Sequence, residues 1–249
     1  DMRGERWSET RLLAVAAKVM RLCHFRPGGG DSEHYGLTTL LNKHYTSRGF
    51  HFVGKSGIIN KCQVKPPVST LLTQLKAYGG ANSQLLATAD AAVTATTLRE
   101  YLKTHGDIRP KDFRTYFANY MLLHTLRKSS PAQLSKSKRA HALREAYEAI
   151  SSALNNTPAV SKSSYVFTGF SVLYLVRPAL FSALLKQHAH KDTRALLPEF
   201  VKEVSKLDWR SMLEHYAQYG NAVPFEGNAN VLLITDAGAE SIDLKGVRH

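Results

Sequence analysis

The sequence predicts a mainly α-helical fold with one small, three-stranded antiparallel sheet built around a hairpin. Two observations predict it. Apolar residues recur at helical spacing through most of the chain, beginning with Leu12, Leu13, Val15, Ala16, Val19, Met20 and Leu22. Between residues 50 and 64 the pattern changes to period two, in Phe50-His51-Phe52-Val53 and again from Gly57 to Val64. A chain of 249 residues that is 43% hydrophobic is long enough for a sizeable core and for two lobes.

Charge narrows the class of partner. Lys and Arg total 33 against 20 acidic residues, a net charge of +13. That excess favours a polyanion, nucleic acid before an anionic membrane. No apolar run reaches the length of a membrane span, and the first residues lack a signal-peptide core. Two cysteines, Cys23 and Cys62, are too few for a disulfide framework and point to a reducing, intracellular compartment. Neither has a metal-ligand spacing.

The elements follow in order. Glu9 to His24 is a helix, stopped by Arg26-Pro27-Gly28-Gly29-Gly30. Arg26 is either a C-cap complementing the helix dipole or a cation held at a defined place with its head available. The hairpin turns at Gly54-Lys55-Ser56-Gly57, with Lys55 at the tip and Leu37 to Leu40 placed alongside as the third strand. Gly49 to Ser56 also fits G-x-x-x-x-G-K-S. A phosphate loop must follow a strand and open a helix, however, and here a second strand follows.

A helix runs through Leu71, Leu72 and Leu75, then a loop at Gly79-Gly80-Ala81-Asn82 and a small apolar connection from Leu85. The next helix, around Thr97 to Leu102, stops at His105-Gly106-Asp107. Pro110 then suits the first turn of a further helix. Lys111 and Arg114 share a face near its positive end. Two cations there cost a few tenths of a kcal/mol, roughly, and an anion such as phosphate would resolve the conflict.

This helix continues through Tyr120 to His124. After Pro131 comes a basic helix with Lys136, Lys138, Arg139, His141 and Arg144, read as contacting a nucleic-acid backbone. It gives way to Asn155-Asn156-Thr157-Pro158, because Asn and the residue before Pro resist a helix interior. Asn156 is placed at the bend and Tyr165 at the start of the following helix, with Lys162 between them. Helices are expected at Leu173 to Gln187, Ala195 to Leu207 and Trp209 to Tyr219. The tail from Gly220, with Val231-Leu232-Leu233-Ile234, is unassigned.

Several stretches together resemble the type IB DNA topoisomerases in the short form of poxviruses and bacteria. Leu154-Asn155-Asn156-Thr157-Pro158-Ala159 followed by Tyr165 resembles the tyrosine-bearing motif, with Asn155 where Gly is usual. Asn156 replaces the poxvirus His and matches the bacterial branch. Phe25-Arg26-Pro27-Gly28, then Tyr35-Gly36-Leu37-Thr38-Thr39-Leu40 and Lys43-His44, resembles the segment of the first catalytic Arg; Pro27 and a short spacer to Tyr35 depart from it. Phe52-Val53-Gly54-Lys55-Ser56-Gly57 is similar to the hairpin of the general-acid Lys. Lys111-Asp112-Phe113-Arg114-Thr115-Tyr116 resembles the segment of the second catalytic Arg.

The resemblance implies the tyrosine recombinase/type IB topoisomerase catalytic fold over residues 1–219, with 220–249 as a tail. It implies that Tyr165, Arg26, Lys55, Arg114 and Asn156 act on a DNA phosphodiester without cofactor or metal. Lys111, Lys43, His44, Lys136, Lys138, Arg139 and Lys162 would hold the duplex. The family's N-terminal clamp domain is expected to be absent from the chain and supplied as a separate domain or chain. A monomer would act on DNA in a nucleoid, nucleus or virion. Two alternatives share the pattern. A tyrosine recombinase normally carries His-x-x-Arg where Lys111 stands, and a basic DNA-binding module would have lost turnover.

Overall fold

The computed structural model describes residues 7–28, 34–208 and 212. They divide into two compact units at Phe113/Arg114, each with its own hydrophobic core. The expected helix Trp209 to Tyr219 and the tail lie outside the described residues, apart from Met212.

In the first unit, helix α1 (Glu9–Cys23) starts where Ser8 Oγ accepts the Arg11 N–H at 3.2 Å. It ends at His24, in the left-handed conformation, whose N–H donates to the Met20 carbonyl. Leu12, Ala16, Val19 and Met20 are buried along one face. Strands β1 (Tyr45–Thr46), β2 (Gly49–Val53) and β3 (Ile59–Cys62) form an antiparallel sheet in that order. The β2–β3 register pairs Phe50 with Cys62 and Val53 with Ile59. The segment that resembles a phosphate loop is therefore strand and turn, with a strand following.

The third strand is not Leu37 to Leu40. That segment is a short 3₁₀ turn, Leu37–Thr39. The reason is where its N–H groups go. Leu37 donates to the Arg26 carbonyl at 2.9 Å and Thr38 to the Pro27 carbonyl at 2.7 Å, so neither is available to a sheet. The crossing is close: a β-carbon on Gly36 would lie 2.3 Å from the Gly28 Cα, which is why both positions lack one.

Helices α2 (Val68–Lys76) and α3 (Ala95–Thr104) pack against α1 through Leu72, Leu75, Leu98 and Leu102. The connection between them is buried at Leu85, Leu86 and Val93, as its apolar composition predicts. Gln84 holds it by donating to the Thr38 and Val93 carbonyls.

The two cysteines are joined. Cys23 and Cys62 form a disulfide between the end of α1 and β3, with Cα atoms 5.6 Å apart. This removes the cysteines as an argument for a reducing compartment. Two cysteines make no framework, but α1 and the hairpin bring them together across a sequence separation of 39.

Helix α4 (Pro110–Leu126) begins at Pro110, as the sequence indicates. The second unit contains α5 (Lys136–Leu154), α6 (Pro158–Tyr165), α7 (Thr168–Val176), α8 (Pro178–Gln187) and α9 (Thr193–Ser205). The single helix expected from Leu173 to Gln187 is two, α7 and α8, at 114° to each other. Pro178 cannot continue α7 and opens α8 instead. Helix α7 is buried almost all round, with Phe170, Val172, Leu173 and Tyr174 at its heart. No single described helix is long and apolar enough to cross a membrane.

Reduction of the disulfide opens a long loop in the unfolded chain. The chain-entropy argument gives a loss of about 4 kcal/mol for a closed loop of this length. Urea unfolding with and without reductant measures it, beside Cys62→Ser. Equal midpoints would contradict the pairing.

Candidate active site

Arg26 and Lys55 are set by one local framework in the first unit. Phe25 packs edge-to-face on Phe50 and Phe52, with centroids 5.3 and 4.8 Å away. Arg26 follows it, its carbonyl held by Leu37 and its side chain exposed. The Pro27 carbonyl accepts from both the N–H and the hydroxyl of Thr38. On the hairpin, Tyr35 N–H donates to the Val53 carbonyl at 2.9 Å. Lys55 sits in the turn beyond, exposed, where Gly54 N–H donates to the Ile58 carbonyl at 2.8 Å. The disulfide ties the two segments once more.

Lys43 is exposed and its ammonium donates to Asn82 Oδ1. His44 is half-buried, and its Nδ1 accepts the Leu41 N–H at 3.1 Å. Burial, and then the Lys43 charge, hold its pKa below the usual value. The neutral ring then keeps its hydrogen on Nε2, a donor without a charge.

In the second unit Arg114 is 5% exposed. Its near neighbour in the chain, Asp112, is engaged elsewhere: it accepts from the Arg109 N–H at 2.8 Å and pairs with the Arg109 guanidinium. Arg114 Nη2 instead donates to the Leu154 carbonyl at 2.7 Å. That carbonyl ends α5, the negative pole of its dipole. The guanidinium carbon also lies 4.9 Å from the centre of the Tyr165 ring. The conflict of a cation near the start of α4 is thus eased in part by the end of another helix. Lys111 is exposed, so burial separates the two cations of the motif.

The turn before α6 forms in a left-handed residue. Asn155 takes φ 50° and ψ 55°, Asn156 N–H reaches the Ser151 carbonyl, and Asn155 N–H reaches Ser152. This closes α5 as a Schellman motif, with Asn155 doing what Gly would do. Thr157 then caps α6, accepting from Val160 N–H, with Pro158 in its first turn. Tyr165 is consequently the last residue of α6 and not the first of the next helix. Asn156 and Tyr165 flank one short helix, separated by roughly 12 Å of rise.

Asn119 carries no signal in the sequence motifs, yet it brackets the tyrosine. Its Nδ2 donates to the Tyr165 carbonyl at 2.9 Å and its Oδ1 accepts the Phe167 N–H at 2.7 Å. It is 2% exposed. A polar residue on the buried side of α4, about 7 Å along the helix from Arg114, was the available clue.

Lys136 and Lys138 are exposed at the start of α5. Arg139 is not on that surface: it is buried and donates to the Leu134 carbonyl, tying down the approach to the helix. That burial separates it from the exposed Lys136 and Lys138, with which the sequence groups it. Lys162 is half-buried within α6, and burial lowers its pKa.

The family model of eukaryotic DNA topoisomerase I, catalytic core, matches residues 1–168. The chain belongs to this family. It is a type IB DNA topoisomerase, an isomerase that acts on DNA. The match ends three residues beyond Tyr165 and includes every residue named for the topoisomerase site. No curated protein matches the chain.

Removing the Asn119 amide leaves buried backbone groups around Tyr165 unpaired. Asn119→Ala is expected to cost about 1–3 kcal/mol in urea unfolding and to slow strand cleavage. Asn155→Gly should keep stability, whereas Asn155→Val should lose about 1–2 kcal/mol, because only the first tolerates the left-handed turn.

Proposed function

We propose that this topoisomerase nicks one strand of duplex DNA with the Tyr165 phenol, as the short poxvirus and bacterial enzymes do. The observation that carries the reading is the Arg114 guanidinium 4.9 Å from the Tyr165 ring centre, with both residues in motifs that resemble the family's. The phenolic oxygen attacks phosphorus and its proton leaves to solvent. The bond to the 5′-oxygen breaks, and Lys55 protonates that oxygen. The product is a 3′-phosphotyrosyl ester, which conserves the bond for religation by the 5′-hydroxyl. Between the two steps the free end swivels and supercoils relax.

Arg26 and Arg114 take the non-bridging oxygens, where the transition state gathers charge, and Asn156 adds a neutral donor. Lys111, Lys43, His44, Lys136, Lys138 and Lys162 hold the flanking duplex. Residues 1–219 form the catalytic domain, acting as a monomer, with a clamp domain or chain closing on the other side of the DNA. The reaction needs no ATP and no metal, and it takes place inside the cell or virion, with the DNA.

Plasmid relaxation without ATP or Mg²⁺, run for the wild type and Tyr165→Phe, tests this. The wild type should relax supercoils of both signs and leave a protein–DNA adduct on denaturation; the variant should do neither. Relaxation by Tyr165→Phe would remove the mechanism. Resolution of four-way junctions without relaxation would favour a recombinase.

A further inference from the structure

A second cationic site lies in the second unit, at the far end of α4. A concavity of about 490 Å³ is lined by Tyr120, His124, Arg127, Lys128, Asp192, Thr193 and Arg194. Tyr120, His124 and Arg127 stand at i, i+4 and i+7, one stripe of the helix. Arg114 is six residues earlier and on a different face, about 9 Å back along the axis from Tyr120.

The groups are held in place. Arg127 donates to the Lys191 carbonyl and to Thr193 Oγ1 at 3.0 Å. Thr193 is buried, and its hydroxyl lies 3.3 Å from His124 Nδ1. The Tyr120 and His124 rings stack at 5.7 Å, and the Arg194 guanidinium lies 6.0 Å from the Tyr120 ring centre. Three permanent cations face one carboxylate, Asp192, which is engaged in accepting the Ala195 N–H at 2.8 Å. Among the described residues no carboxylate pairs with Arg127, Lys128 or Arg194, while the neighbouring Lys191 pairs with Glu199. Cations gathered this way repel one another unless an anion joins them.

We propose that this concavity takes a backbone phosphate of DNA, away from the phosphate that is cleaved. The inference rests on duplex DNA being the substrate. Lys128 and Arg194 are exposed at the rim, which suits a polymer passing across the opening better than an enclosed small ligand. Asp192, Thr193 and Arg194 lie beyond residue 168, so the site is completed by a part of the chain that the family match does not reach.

Binding of a short duplex across a range of salt concentrations tests it, with the full chain as wild type, Lys128→Gln/Arg194→Gln and Arg194→Lys. The double variant should bind more weakly, and the slope of log affinity against log salt should become shallower by about 1–2. Arg194→Lys should keep the wild-type slope. An unchanged slope in the double variant would overturn the inference while leaving the topoisomerase reading intact. Failure of the wild type to bind duplex at all would instead sink that reading. Inorganic phosphate that stabilises the wild type, with the duplex slope unchanged in the double variant, would mean a free-phosphate site and would also overturn the proposal.

Discussion

The second unit depends on one buried guanidinium. Arg114 brings a full charge into a place almost closed to water, which is costly unless dipoles surround it. The Leu154 carbonyl and the face of the Tyr165 ring supply that surrounding. The same contacts fix where the charge points. A donor fixed before a substrate arrives need not reorganise as negative charge develops, the usual source of electrostatic rate enhancement. The end of α5, the turn at Asn155 and the tyrosine are thereby linked through one side chain.

The first unit places two long cationic side chains, Arg26 and Lys55, on its surface. The backbone beneath Arg26 and Lys55 is tied by the Gly28–Gly36 crossing, by Phe25 against Phe50 and Phe52, and by the disulfide. Their side chains stay exposed. The proposed general-acid role of Lys55 would draw on this tied backbone, which limits where the long side chain can reach. Asn119 does the corresponding work around Tyr165, where the backbone is held and the ring packs on Arg114.

Much of this could be read from the sequence, and the failures have physical causes. Apolar spacing located α1 and alternation located the hairpin, because burial of one face imposes those periods. Pro110 marked the start of α4. Thr157-Pro158 and Pro178 carried equally good start signals for α6 and α8, so the misplacement of Tyr165 and the unbroken helix after Leu173 were avoidable. The third strand could not be read locally, since Leu37 and Thr38 spend their N–H groups on residues eleven positions earlier. The pairing of Cys23 with Cys62 likewise needs the fold, and so does the burial of Arg139, which a helical wheel of cations does not distinguish from its exposed neighbours.

The rate of single-turnover strand cleavage by Arg114→Lys, at saturating duplex, tests the role of the buried guanidinium most directly. Lysine keeps the charge but loses the planar fork that can serve Leu154 and a phosphate oxygen together. Cleavage should slow by about 10²–10³-fold, with the protein still folded. A rate within about twofold of the wild type would show that the guanidinium is structural and does not act on the phosphate.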